Sequence, residues 1–185
     1  SNGLAENAVK EIKGVPRTLR HCLCELHNVE VPHGHPILTW LVQHAAGCLN
    51  RGQLGPDGQT GYFRWKGRPF KRSLPPFGDM VEFLPAGKRQ TSTIGDRWLA
   101  GIYLGVMEKS SELIIGFGGK VVKARCVRRR TMSERSNSEA LLKIQGLPWR
   151  PVPGQIEDGR MPAVIAAPAA LPEGALPPEA TPAMP

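Results

Sequence analysis

Apolar positions in the first third of the chain recur at helical spacing. In residues 1–26 the stripe Ala5, Ala8, Val9, Ile12, Leu19, Leu23 and Leu26 has the period of a helix packed on a core. Asn2 is a plausible N-cap. Gly14 and Pro16 lie inside this pattern, and an interior proline removes a backbone hydrogen bond, so the helix is expected to kink or break there; one solution ends it near Lys13 and restarts it with Pro16 in the first turn. Residues 27–36 have no period and read as a connector. A second helix is expected from about Pro36 to Asn50, with Ile37, Leu38, Leu41, Val42, Ala45, Ala46 and Leu49 on a broad apolar face and Trp40 beside it.

After Pro75 and Pro76 the period changes to that of strands. Asp79–Leu84, Trp98–Val106, Glu112–Phe117 and Lys120–Val127 are short runs rich in β-branched and aromatic residues, separated by polar and Gly turns. Gly118-Gly119 reads as a hairpin turn rather than a phosphate loop, because strands lie on both sides of it. So many short strands in so little chain fit a small antiparallel barrel. Beyond Thr131 a short amphipathic piece, Ser138–Ile144, precedes Leu147-Pro148-Trp149, and the sequence leaves open whether it folds back. Residues 155–185 hold seven Pro and eight Ala with no aromatic residue, a composition expected to stay extended or disordered.

The charges add a second pattern. Glu6, Lys10, Lys13, Arg17 and Arg20 fall at i, i+4, i+7, i+11 and i+14, on one helix face opposite the apolar stripe. Such a face is either a solvated surface or a phosphate-binding one. If the helix breaks at Gly14 and Pro16, Arg17 and Arg20 leave the stripe of Glu6. Residues 1–130 carry 20 Lys and Arg against 10 Asp and Glu, a net of +10, whereas residues 131–185 carry 4 against 6, a net of −2. The cationic surplus belongs to the part expected to fold and points to nucleic acid as partner, since no segment approaches the run of about 20 apolar residues that a membrane span needs. Residues 62–72 interleave Tyr62, Phe63, Trp65 and Phe70 with Arg64, Lys66, Arg68, Lys71 and Arg72. These side chains either stack bases and neutralise phosphates or anchor the segment on the core with their charges in water.

Two further groups are weighed against structural roles. His21, Cys22, Cys24, His27, His33 and His35 have metal-ligand chemistry, but their spacing matches no established zinc pattern, and a helix face of partly buried residues explains them better. Arg128-Arg129-Arg130 is either a phosphate contact or solvated charge. The four cysteines form no paired framework, which fits a reducing compartment.

The string Ser1-Asn2-Gly3-Leu4-Ala5-Glu6-Asn7-Ala8-Val9, with Lys10 and Lys13 after it, resembles the last catalytic segment of retrovirus-like integrases, particularly the copia type. Trp40, Asn50 and Arg51 repeat the pattern of the helix that follows in that family. Thr60-Gly61-Tyr62 to Gly67-Arg68-Pro69 resembles its closing element, with Gly61 where the family has proline. The series Phe77-Gly78, Gly101-Ile102-Tyr103-Leu104-Gly105, Lys120-Val121-Val122 and Arg125-Cys126-Val127 is similar to the SH3-like domain that follows the core.

The resemblance implies an α+β chain: residues 1–72 as the helical end of an RNase H-like catalytic core, residues 76–130 as an SH3-like barrel, and residues 131–185 as a mostly disordered Pro/Ala-rich tail. It implies that Glu6 is the catalytic, metal-binding carboxylate, the third of an Asp, Asp, Glu triad holding Mg2+ or Mn2+. It also implies that Lys10 and Lys13 contact DNA, with Arg17, Arg20, Arg64, Lys66 and Arg68 as further DNA-binding candidates. The expected partners are the ends of the element's DNA and the target DNA, the remainder of an integrase or Pol polyprotein, and further copies of the chain. The expected compartment is the nucleus or a cytoplasmic virus-like particle, not the secretory route. The family's two aspartates lie upstream of the glutamate, and five residues precede Glu6 here, so the chain is expected to be a fragment, catalytically inactive as it stands. The alternative is a non-enzymatic nucleic-acid-binding or interaction module from a degenerate or domesticated element.

Overall fold

The computed structural model describes residues 3–86 and 97–152, apart from the side chains of Leu4, Ala5 and Ala8. The expected N-cap Asn2 and the Pro/Ala-rich residues 155–185 lie outside them. The fold is mixed α and β: helices α1 (Gly3–His27), α2 (Ile37–Gly52) and α3 (Gly61–Lys66), strands β1 (Met80–Pro85), β2 (Leu99–Val106), β3 (Leu113–Phe117) and β4 (Lys120–Arg129), a short 3-10 turn at Met132–Glu134, and helix α4 (Ser138–Leu142).

The four strands close into an antiparallel barrel, each paired with the next and β1 with β4. All four lie where the apolar runs place them. Gly118 and Gly119 form the β3–β4 turn with φ of 57° and 81°, the conformation that Gly-Gly supplies without strain. Side chains alternate across the barrel wall. Val81, Phe83, Tyr103, Leu113, Ile115 and Ala124 fill the interior. Met80, Ile102, Leu104, Ile114 and Val121 face outward and are buried by Leu23, Val31, Ile37, Trp40 and Leu41 from the helical half, and by Leu141 and Ile144. Burial on both faces explains why β2 and β3 read as continuous apolar runs rather than alternating ones.

The outer elements seat side chains over glycines of the barrel half. A Cβ at Gly78 would lie 2.2 Å from Leu23 Cδ1, one at Gly105 3.2 Å from His44 Nδ1, and one at Gly116 2.5 Å from Ile144 Cδ1. Each glycine is a socket that lets a helix or the segment after it approach the wall. The piece Ser138–Ile144 therefore folds back, and the ordered chain continues past residue 130. Trp40 Nε1 donates to Gly146 O at 2.7 Å, Gln145 N to Gly119 O at 2.9 Å, and Val121 N to Pro151 O at 2.8 Å.

The break expected in the first helix is corrected. Helix α1 runs unbroken from Gly3 to His27 with Pro16 inside it. A proline removes a single hydrogen bond of the ladder, and the helix is anchored on both sides of that gap. Before it, Gln53 donates to the Glu11 carboxylate; after it, Leu19 and Leu23 pack into the core and the Thr18 hydroxyl donates to Gly14 O. Among its described side chains, the apolar stripe is buried only in its second half. Leu23 is 1% exposed, whereas Val9 and Ile12 are 47% and 54% exposed.

Candidate nucleic-acid interface

Because α1 is continuous, Glu6, Lys10, Lys13, Arg17 and Arg20 lie on one helical stripe after all. Glu6, Lys10, Lys13 and Arg17 are exposed. They span about 17 Å at 1.5 Å per residue. Arg20 is turned to another use: half-buried, it donates from Nη2 to Val31 O at 3.0 Å and ties the connector to α1. The stripe available to a ligand thus has three cations and one carboxylate.

Among the described residues no three His, Cys, Asp or Glu side chains converge as a metal site. A hard divalent cation takes six or more oxygen ligands in most protein sites. Glu6 can supply one carboxylate and does not by itself make such a site.

The segment after α2 forms a helix, which the interleaved aromatic and basic pattern did not predict. Thr60 caps it by accepting from Phe63 N, and Gly67, at φ 68°, ends it in the left-handed conformation. Arg64 is paired with Asp57 through two hydrogen bonds, and this guanidinium holds the Asp57 carboxyl down at about 2. Gly55 leaves room for that pair, since a Cβ there would overlap Arg64 Nη2. The Lys66 ammonium sits 3.8 Å from the centroid of the Trp65 ring. Arg68 is exposed. Of the three candidates here, Arg64 is spent on the loop, Lys66 covers an indole face, and Arg68 points to water.

Most of the remaining candidates have structural work. His27 is buried with both ring nitrogens engaged, and desolvation lowers its pKa. His21 lies 3.2 Å from Glu25 one turn on, and His35 bonds Leu142 O at 3.0 Å. Cys22 and His33 are exposed, and Cys24 packs against the core. Arg128 stacks on Trp98 at 3.9 Å, Arg129 donates to Leu74 O at 2.7 Å, and Arg130 lies 3.7 Å from Glu82.

A second basic and aromatic group escaped the sequence pattern, because its members are far apart in the chain. A cleft of about 740 Å³ opens between α2, α3 and the β2–β3 turn, with Arg51, Tyr62, Trp65, Lys109 and Lys123 among its walls. Of these, Arg51 carried a signal through its place at the end of α2 and Tyr62 and Trp65 through the interleaved run; Lys109 and Lys123 carried none.

Compared with protein-family models, curated proteins and solved structures, the chain matches none.

Proposed function

We propose that this chain is the C-terminal part of a copia-type integrase and that it holds DNA by its phosphates along α1. The observation that carries the reading is the uninterrupted helix, which keeps Glu6, Lys10, Lys13 and Arg17 exposed on one stripe. In this reading the helical half is the end of an RNase H-like core, the barrel is the SH3-like domain after it, and the partners are DNA, the rest of the polyprotein and further copies of the chain. The working compartment is the nucleus or a virus-like particle. Among the described residues no helix is long and apolar enough to cross a membrane.

Integration is an in-line transesterification at phosphorus, in which Mg2+ or Mn2+ would activate the nucleophile and stabilise the leaving oxygen. Glu6 would give one carboxylate to that site, whose other ligands are not among the described residues. The chain's own part is to hold and orient the DNA: Lys10 and Lys13 neutralise phosphates one and two turns beyond the glutamate, and Arg17 extends the track. A second reading, a nucleic-acid-binding module without catalysis, draws on the predominance of cations over Glu6 on the same stripe.

Two measurements test these readings. Binding of duplex DNA should fall log-linearly with salt, and Lys10→Gln with Lys13→Gln should reduce the slope by about two. An unchanged slope removes the stripe from the interface. In a protein that also carries the two aspartates, Glu6→Gln should abolish metal-dependent strand transfer while DNA binding persists; transfer that survives excludes Glu6 as a metal ligand and leaves the non-catalytic reading.

A further inference from the structure

The cleft between α2, α3 and the β2–β3 turn has features that a solvated surface groove lacks. Trp65 lines it and is 53% exposed, although large aromatic side chains usually bury their rings. The Lys66 ammonium stands 3.8 Å from the centroid of that indole. Tyr62 lines the same wall and is fixed edge-on against Phe70 at 5.3 Å.

Arg51 is positioned against the wall of the cleft rather than trailing into solvent. The Arg51 guanidinium lies 4.9 Å from the Phe70 ring centroid and folds over Gly47, where a Cβ would come within 3.0 Å of Nη2. Its buried Nε–H has no acceptor among the described residues. A donor buried without an acceptor is a cost. Lys109 and Lys123 add charge on the opposite wall, Lys123 being also 2.8 Å from Glu112. Among the described residues Glu108 is the one carboxylate of the lining, and Asn50 Nδ2 donates to it at 3.3 Å. Three cations, a half-exposed indole and an amide–carboxylate pair thus surround a volume in the range of small-ligand sites.

We propose that this cleft binds an unpaired nucleotide of single-stranded DNA, with the base stacked on Trp65 and its phosphates held by Arg51 and Lys109. Duplex DNA does not fit this chemistry, because paired bases keep their faces inside the stack and an aromatic side chain reaches only a splayed base. The Asn50 and Glu108 side chains offer a donor and an acceptor to the edge of the base. The proposal rests on the reading of the chain as a DNA-binding protein and adds a second, structurally separate contact to the α1 stripe.

The test uses the full chain and fluorescence anisotropy with four probes: twelve-nucleotide oligothymidine, an abasic strand of equal charge, a duplex of equal length, and oligouridine. Oligothymidine should bind about tenfold tighter than the abasic strand, as one stacked base contributes. Trp65→Ala should remove that preference and leave abasic and duplex binding unchanged, while Trp65→Phe keeps most of it. Equal binding of oligothymidine and the abasic strand overturns the proposal, and so does a Trp65→Ala variant that weakens every probe alike. Tighter binding of oligouridine assigns the cleft to RNA instead. If the duplex binds with its salt dependence but the base preference is missing, only the cleft proposal fails; if no probe binds, the DNA-binding reading fails with it.

Discussion

The His27 ring accepts a hydrogen bond at Nδ1 from the backbone N–H of Asn137, at 3.0 Å and 110 residues along the chain. Its other nitrogen lies 2.9 Å from Gly78 O. A backbone N–H can only donate and a carbonyl can only accept, so this geometry requires the neutral Nε2–H tautomer. One imidazole thus joins the end of α1, the approach to β1 and the cap of α4. Asn137 itself accepts from Ala140 N at 2.8 Å, so the clasp extends into the first turn of α4.

Stability should therefore fall in mild acid. Burial lowers the folded-state pKa of His27 below 6.5, and that of His44 from 6.5 to about 4. The unfolded chain takes up these protons first, so the stabilisation is complete above 6.5 and is lost as pH falls toward the folded-state values. For His44 the window reaches to about 4 and is worth at most about 3 kcal/mol. Asp79, 3% exposed and raised by desolvation, runs the other way and loses stability as pH rises through the carboxylate range. Urea unfolding between pH 5 and 8 should give a midpoint that rises with pH, with a smaller rise in His27→Gln. An identical pH slope in the variant would show that the fold does not lower the His27 pKa.

Gly116→Ala should destabilise the protein by about 1–3 kcal/mol through overpacking. The new methyl would lie 2.5 Å from Ile144 Cδ1, and Ile144 is 1% exposed. In denaturant the variant should unfold earlier, and hydrogen exchange should show α4 opening first. Gly34→Ala, with nothing within 4 Å of its Cβ, is the control. Equal stability of the two variants would mean that the segment after β4 is not seated on the barrel.

Pro16→Ala should raise helix content and stability. Interior proline costs about 3 kcal/mol relative to alanine, and part of that gain is returned because alanine makes the unfolded chain freer. A net increase of about 1–2 kcal/mol in urea unfolding is expected. A loss of stability would show that packing of the half-buried proline ring outweighs the backbone term.

Arg17 and Arg20 should separate. Arg17 is exposed on the stripe, so Arg17→Gln should lower the salt slope of duplex binding by about one and leave unfolding unchanged. Arg20 is spent on Val31 O, so Arg20→Gln should cost about 1 kcal/mol of stability and leave the slope alone. The reverse outcome would move the DNA contact on this face of α1 from Arg17 to Arg20.

The basic stripe was legible up to Lys13, because helical spacing alone puts Glu6, Lys10 and Lys13 on one face. Whether Arg17 joins it turned on Pro16, and local propensity pointed the wrong way. A single proline costs one hydrogen bond, and anchoring by Leu19, Leu23 and the Glu11–Gln53 bond outweighs that cost in the folded chain. Arg64 looked as available as Arg68, and its pairing with Asp57 depends on a loop closed around Gly55.

By itself the sequence determined the four strands, the Gly118-Gly119 turn, helix α2 and the location of the positive charge, since these follow from local periodicity and composition, whereas the continuity of α1 through Pro16 did not follow from them. Only the tertiary structure decided that the helices close over the outside of the barrel, that Ser138–Ile144 returns to it, and that Arg51, Trp65 and Lys109 share a cleft. The physical reason is that these arrangements rest on contacts between residues tens of positions apart. Glycine sockets such as Gly78 and Gly116 permit them, but a glycine in the sequence does not say which side chain will fill the space above it.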